Sequence, residues 1–137
     1  MDALFPYRKG KTEEIKTNGI HMDAIREVIF IEQALAYVCC SAETGNAKMA
    51  KYCRKIYELG YVPIAPQYSF SLFLEEGEAE DQQAMKRMSH QVLRRCRMLV
   101  VCGKEVTGTM NTEIGLADRL HIICTTLDGL VKIKENE

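Results

Sequence analysis

Four short apolar runs, separated by stretches of helical periodicity, constrain this chain more than any other feature. The runs are residues 35–40, 61–65, 98–102 and 121–127. Each is too short for an ordinary helix and reads as a strand, the first and third as buried ones. Between them apolar residues recur at helical spacing: Met49, Cys53 and Ile56 over residues 47–59, Met85, Met88, Val92 and Cys96 over 82–96, and Ile114 and Ala117 over 109–120. Gly60 stands where a helix wants its C′ residue. An earlier stripe, Met22, Ile25, Val28 and Ile29, predicts a helix over residues 21–35. Helices alternating with strands predict parallel strands joined by crossover helices. Right-handed crossovers then wind those helices onto both faces of the sheet. The expected class is a three-layer α/β/α fold with a parallel sheet of four to five strands. Pro63 cannot donate to a ladder, so the second run belongs early in its strand or at an edge.

The length of 137 residues fits one domain with its own core. Residues 1–20 are polar and aperiodic and are expected as an arm, residues 21–127 as the α/β domain, and residues 128–137 as a polar tail. Eighteen basic against 19 acidic side chains leave a net charge of −1. No broad field therefore attracts nucleic acid or an anionic membrane, and neither partner is expected. The one basic cluster, Lys86 to Arg97, lies on a helix and reads as a solvated face. The first residues lack the apolar segment of a signal peptide, and no run reaches the ~20 residues of a membrane-spanning helix. A cytoplasmic location is expected. The six cysteines form no Cys-x-x-Cys pair. With His21, His90 and His121 they show no zinc-ligand spacing, so no metal and no cofactor are expected. In apolar runs a reduced thiol behaves as a small hydrophobe.

Three loops and one helix carry candidate chemistry. In residues 108–117 a Gly- and Thr-bearing loop opens a helix beyond the end of the third run, where ligands sit in open α/β sheets. Glu113 there can act as a covalent nucleophile at an anomeric carbon, kept ionised by the helix N-terminus. It can equally be a first-turn glutamate that balances the helix dipole. Gly108 permits close backbone approach, and the Thr109 and Thr112 hydroxyls can hold phosphate or sugar oxygens. Thr109 or Asn111 can instead be a plain N-cap. The loop after the first run, residues 40–46, offers Thr44, Gly45 and Asn46 as small donors at a helix start, or a turn with Asn46 as N-cap. It lacks the Gly-Lys-Ser/Thr of a P-loop, and no Gly-x-Gly-x-x-Gly occurs. Residues 66–70 supply aromatic rings that can stack on a base or close the core under a loop. Ser89 and His90 lie on the long helix. His90 can shuttle protons, or both residues can be structural.

Taken in order, these residues resemble the nucleoside 2-deoxyribosyltransferase superfamily. Gly108-Thr109-x-x-x-Glu113-x-Gly115-x-Ala117 is similar to its Gly-Thr-Ala-x-Glu-x-Gly-x-Ala, with the glutamate displaced by one residue. Within a bacterial and phage branch of that superfamily, Tyr37-Val38-Cys39-Cys40-Ser41, Ala50-Lys51-Tyr52-Cys53-Arg54, Pro63-Ile64-Ala65-Pro66, Phe73-Leu74 and Met110-Asn111-Thr112-Glu113-Ile114 have counterparts. The match spans residues 36–125. The resemblance implies a flavodoxin-like or Rossmann-like fold, a homo-oligomer with shared sites, and a nucleoside or nucleotide as the small-molecule partner. It implies that Glu113 attacks the sugar of an N-glycosidic bond. It places Cys40, Ser41, Thr44, Gly45 and Asn46 near sugar or phosphate, with Gln67, Gly103, Gly108, Thr109 and Met110 completing the expected substrate-binding set. Where the superfamily carries an acidic proton donor on the long helix, this chain has Ser89 beside His90. The aspartate expected before the third strand is Arg97, and the Gly-Pro after the first is Ser41-Ala42.

That departure leaves open a non-catalytic nucleotide-binding module. A flavin carrier is a further alternative, since residues 41–47 are similar to a flavodoxin phosphate loop. Only Thr44 fills one of that loop's three hydroxyl positions.

Overall fold

A computed structural model describes residues 33–136. The expected arm and nearly all of the expected helix over 21–35 lie outside the described residues. The described elements, in chain order, are β1 (Leu35–Cys39), α1 (Asn46–Glu58), β2 (Val62–Ile64), α2 (Pro66–Ser71), α3 (Ala79–Leu93), β3 (Met98–Val101), α4 (Gly108–Arg119), β4 (Ile123–Thr126) and α5 (Leu127–Glu135). The four strands form one parallel sheet in the order β2-β1-β3-β4. The fold is thus α/β and flavodoxin-like. Pro63 sits in β2, an edge strand, where a missing donor faces no neighbour.

The period-2 alternation of a strand divides the core into two. Ala36, Val38 and Cys40 join Met98, Val100 and Cys102 on one face, beneath Met49 and Ile56 of α1 and Leu130 of α5. Tyr37 and Cys39 join Leu99 and Val101 on the other, beneath Leu93 of α3 and Met110, Leu116 and Ala117 of α4. Chain order explains the division. The first crossover moves from β1 to β2, and the next two move the opposite way, to β3 and then β4. Crossovers of one hand that reverse direction place their helices on opposite faces. The reversal also opens a crevice between the carboxyl ends of β1 and β3, where open α/β sheets bind ligands.

Two expectations are corrected. The polar tail over 128–137 is largely helix: α5 buries Leu130 to 2% exposure in the α1-side core. Its start is capped by Thr126 Oγ1, which accepts the Gly129 N–H at 2.9 Å. The fourth run is a strand as expected, but its Cys124, expected as a small hydrophobe of an apolar run, is not buried. β4 lies at the sheet edge, Ile123 is 59% exposed, and Cys124 is exposed with it. Among the described residues no helix is long and apolar enough to cross a membrane.

Candidate functional site

α4 begins one residue earlier than its sequence suggests, and this shift decides the state of Glu113. Thr107, rather than Thr109 or Asn111, is the N-cap: its Oγ1 accepts the Met110 N–H at 3.4 Å, and its own N–H points to Met110 Sδ at 3.4 Å. Glu113 therefore lies in the second turn, and the first turn holds no acid. The helix-terminus field fades beyond the first turn, so it cannot keep Glu113 ionised as expected.

The carboxylate instead meets the sheet. Tyr37 Oη donates a short hydrogen bond to Glu113 Oε2, and Cys39 Sγ donates to Oε1 at 3.5 Å. Tyr37 and Cys39 are two residues apart on β1 and so point to the same face. Ser89 of α3, 6% exposed, also partners the Tyr37 hydroxyl. Burial pushes the Glu113 carboxyl above its ordinary value, and the two donors pull it part of the way back. The Tyr37 and Cys39 protons are held tightly, by burial first and by the Glu113 charge second. The result is a carboxylate poised to titrate above the usual range, gripped on both oxygens.

This group faces a cleft of about 670 Å³, within the ~300–1,000 Å³ of small-molecule sites. Of the expected site residues, Glu113, Ser89, His90, Thr44, Asn46, Gln67, Gly108 and Thr109 line it together. They come from the ends of β1, β2 and β3 and from α3, and so converge at the crevice between β1 and β3. Asn46 is the first residue of α1, whose N-cap is Gly45 rather than Asn46. Burial, and after it the charges of Lys86, Arg94 and Arg119, push the His90 pKa below its ordinary value.

The other expected residues lie elsewhere. Cys40, 4% exposed, points into the α1-side core against Met49 Sδ at 3.5 Å. Met110 is fully buried beneath α4. Ser41 turns its hydroxyl onto the Glu43 N–H at 3.2 Å. Gly45 caps α1 without lining the cleft. Gly103, at φ +94°, makes the turn after β3, where a side chain would lie 3.4 Å from the Tyr52 hydroxyl.

Sequence reading missed Tyr37 and Cys39 as partners of Glu113, and Lys86, Glu75, Glu76 and Asp81 as lining residues, whereas Tyr68, from the aromatic stretch 66–70, does line the cleft. The Tyr37 hydroxyl inside an otherwise apolar run was the one available signal, since a buried phenol needs a partner. Lys86, assigned to a solvated face, turns toward the cleft. Among the described residues no cluster of three or more His, Cys, Asp or Glu side chains is arranged to hold a metal. The arrangement offers a buried carboxylate with two donors, hydroxyls and amides from two helix starts, and an imidazole whose pKa is lowered.

The pattern of a family described as a domain of unknown function, DUF7768, matches residues 27–127. No curated protein matches the chain. Among solved structures, the fold is similar to that of a 2-deoxyribosyltransferase from the psychrotolerant bacterium Bacillus psychrosaccharolyticus. The TM-score is 0.56 at 13% identity, over 68% of this chain and 71% of that one.

Proposed function

From the premise that the chain belongs to the DUF7768 family, we propose that it is a nucleoside- or nucleotide-binding protein that opens an N-glycosidic bond through Glu113. The observation that carries this reading is the Glu113 carboxylate, held by Tyr37 and Cys39 at the wall of a cleft large enough for a nucleoside. A carboxylate fixed beside an anomeric carbon can form a glycosyl ester through an oxocarbenium-like transition state. The two donors leave one lone pair of each oxygen for the sugar and fix the attack direction. Thr44, Asn46, Gly108 and Thr109 are suited to hold sugar or phosphate oxygens around that point. The name of the structurally similar enzyme refers to 2-deoxyribosyl transfer, and the proposal extends that chemistry to this cleft. A base or a water molecule then takes the glycosyl group.

The test is release of free base from a panel of nucleosides and nucleoside monophosphates, followed by chromatography. Base release that disappears in Glu113→Gln supports the proposal. Binding in a calorimeter with no base release, unchanged by Glu113→Gln, assigns the cleft to a non-catalytic binding module.

A further inference from the structure

The cleft is electrically lopsided. Its lining runs along α3, from Asp81 in the first turn to Ser89 near the end. Those residues are eight positions apart, or about 12 Å at ~1.5 Å per helical residue. At the Ser89 end stands Glu113. At the other end Glu75, Glu76 and Asp81 gather, and Asp81 Oδ2 accepts the Glu75 N–H at 2.8 Å, which folds the loop back onto α3. Among the described lining residues, Lys86 is the one lysine or arginine set against these acids.

The Glu113 end is as unusual for what surrounds the nucleophile. Expelling an uncharged base from a sugar leaves an anion unless a proton arrives with the electrons. A positioned acid supplies that proton, and its contribution is typically about 10²–10⁴-fold. Around Glu113 the described groups are poor donors. The Tyr37 and Cys39 protons already point at Glu113 itself. Ser89 is a buried hydroxyl tied to Tyr37. Burial first, and then Lys86, Arg94 and Arg119, disfavour the cationic, proton-donating form of His90. The remaining carboxylates are at the far end, Glu75 and Glu76 exposed and Asp81 engaged by a backbone amide.

We propose, building on the reading of Glu113 as glycosyl acceptor, that the substrates of this cleft are N-glycosides of quaternised heterocycles, such as pyridinium ribosides and N7-alkylated purine nucleosides. Such a base is already cationic in the ring that bears the glycosidic nitrogen. A Glu113 oxygen bonds to C1′ as the C1′–N bond breaks, and the bonding pair passes to the ring nitrogen and cancels its charge. The base leaves neutral without taking up a proton. Water then adds at C1′, the ester C–O bond breaks, Glu113 recovers its carboxylate, and the water's proton passes to solvent. The acidic end attracts the cationic base, while Glu113 meets the sugar.

The experiment compares nicotinamide riboside and N7-methylguanosine with guanosine, in ribo and 2′-deoxy forms, with spontaneous hydrolysis subtracted and Glu113→Gln as control. The expected result is release of the cationic bases about 100-fold or more faster than guanine, the size of a missing general acid. For nicotinamide riboside, whose ring has no proton to lose, kcat/KM should rise with pH to a plateau, without the alkaline fall that a required acid imposes. The double substitution Glu75→Gln, Glu76→Gln should raise KM for nicotinamide riboside several-fold at low salt and leave kcat unchanged. Glu113-dependent release of guanine at a rate within tenfold of N7-methylguanine overturns the cationic-substrate inference and leaves the glycosidic reading standing. Release of no base from any of these compounds overturns both.

Discussion

Tyr37 and Glu113 are 76 positions apart in the chain, yet the phenol of β1 donates directly to the carboxylate of α4. The bond joins the first strand to the helix that follows the third, across the crevice where the strand order reverses. It also sets the charge of the site. A hydrogen bond to the ionised form favours that form, so Tyr37 opposes the burial that raises the Glu113 carboxyl above its ordinary value.

Removing the phenol should therefore shift Glu113 further up. In Tyr37→Phe the carboxyl loses a donor while burial persists, so its midpoint in a ¹³C carboxyl titration should rise. The unfolding free energy should fall by about 1.5–3 kcal/mol where Glu113 is ionised and by about 0.5–1.5 kcal/mol where it is neutral, the usual values for bonds to charged and uncharged groups. A midpoint that stays in place or falls would show that Tyr37 does not donate to the carboxylate in solution.

The same raised pKa fixes a sign for stability against pH. At and below the ordinary value of 4.5, the folded and unfolded chains both tend to hold the Glu113 proton. As pH rises, the unfolded chain releases it first, so the folded state binds more protons and stability declines. The decline ends once pH passes the folded-state value. Glu113→Gln lacks this term. Denaturant titrations should show the variant gaining stability relative to wild type as pH rises above 4.5, with the difference level once pH passes the folded-state value. A variant that instead loses stability relative to wild type over that interval would mean the carboxyl is depressed, not raised.

Thiol chemistry gives an independent reading of the core. Cys39, Cys40, Cys96 and Cys102 are buried and Cys124 is exposed. Burial pushes Cys96 up to about 11 and Cys102 up to about 12, so neither supplies appreciable thiolate at neutral pH. Alkylation of the native protein by iodoacetamide, mapped by peptide mass, should label Cys124 first. Cys40 and Cys102 should react at least about 100-fold more slowly, in step with global opening, as expected for groups sealed in a folded core. Equal labelling of Cys102 and Cys124 would contradict the packing of β3.

The alternation of strands and helices was legible because buried parallel strands are written as unbroken apolar runs. Whatever depended on distant partners was less so. Glu113 was visible as a carboxylate near a helix start, but Thr107, Thr109 and Asn111 are all competent N-caps, and only the packing of Met110 beneath the sheet selects Thr107. Tyr37 and Cys39 gained their meaning from a residue more than 70 positions away. Lys86 could not be told from a solvated lysine, because the cleft that turns it inward is assembled from four separate stretches of chain. β4 was as apolar as its neighbours, and its place at the sheet edge is a property of topology rather than of composition.

The C-terminal helix was hidden for a local reason, and it offers the sharpest stability test. α5 carries Gly129, a weak helix former, in its first turn, and its apolar residues Leu130, Val131 and Ile133 are too few to announce a stripe. It forms because Leu130 fits the core beside Ile56, Val100 and Cys102, and because Thr126 caps its start. Tertiary packing thus overrides weak propensity, the usual source of stability for short helices. Leu130→Ala removes a fully enclosed side chain and should lower the unfolding free energy by about 2–5 kcal/mol, from lost transfer energy and the cavity left behind. Thr126→Ala deletes only the cap and should cost about 1 kcal/mol. Gly129→Ala brings two opposed effects together. Alanine favours the helix, but its Cβ would stand 2.8 Å from Thr125 Oγ1 and 3.1 Å from Thr126 Oγ1, the capping oxygen itself. Displacing that oxygen cancels the gain, so the variant should be no more stable than wild type. Chemical denaturation of the three variants orders the effects, and a loss below about 1 kcal/mol for Leu130→Ala would return residues 128–137 to the status of a tail.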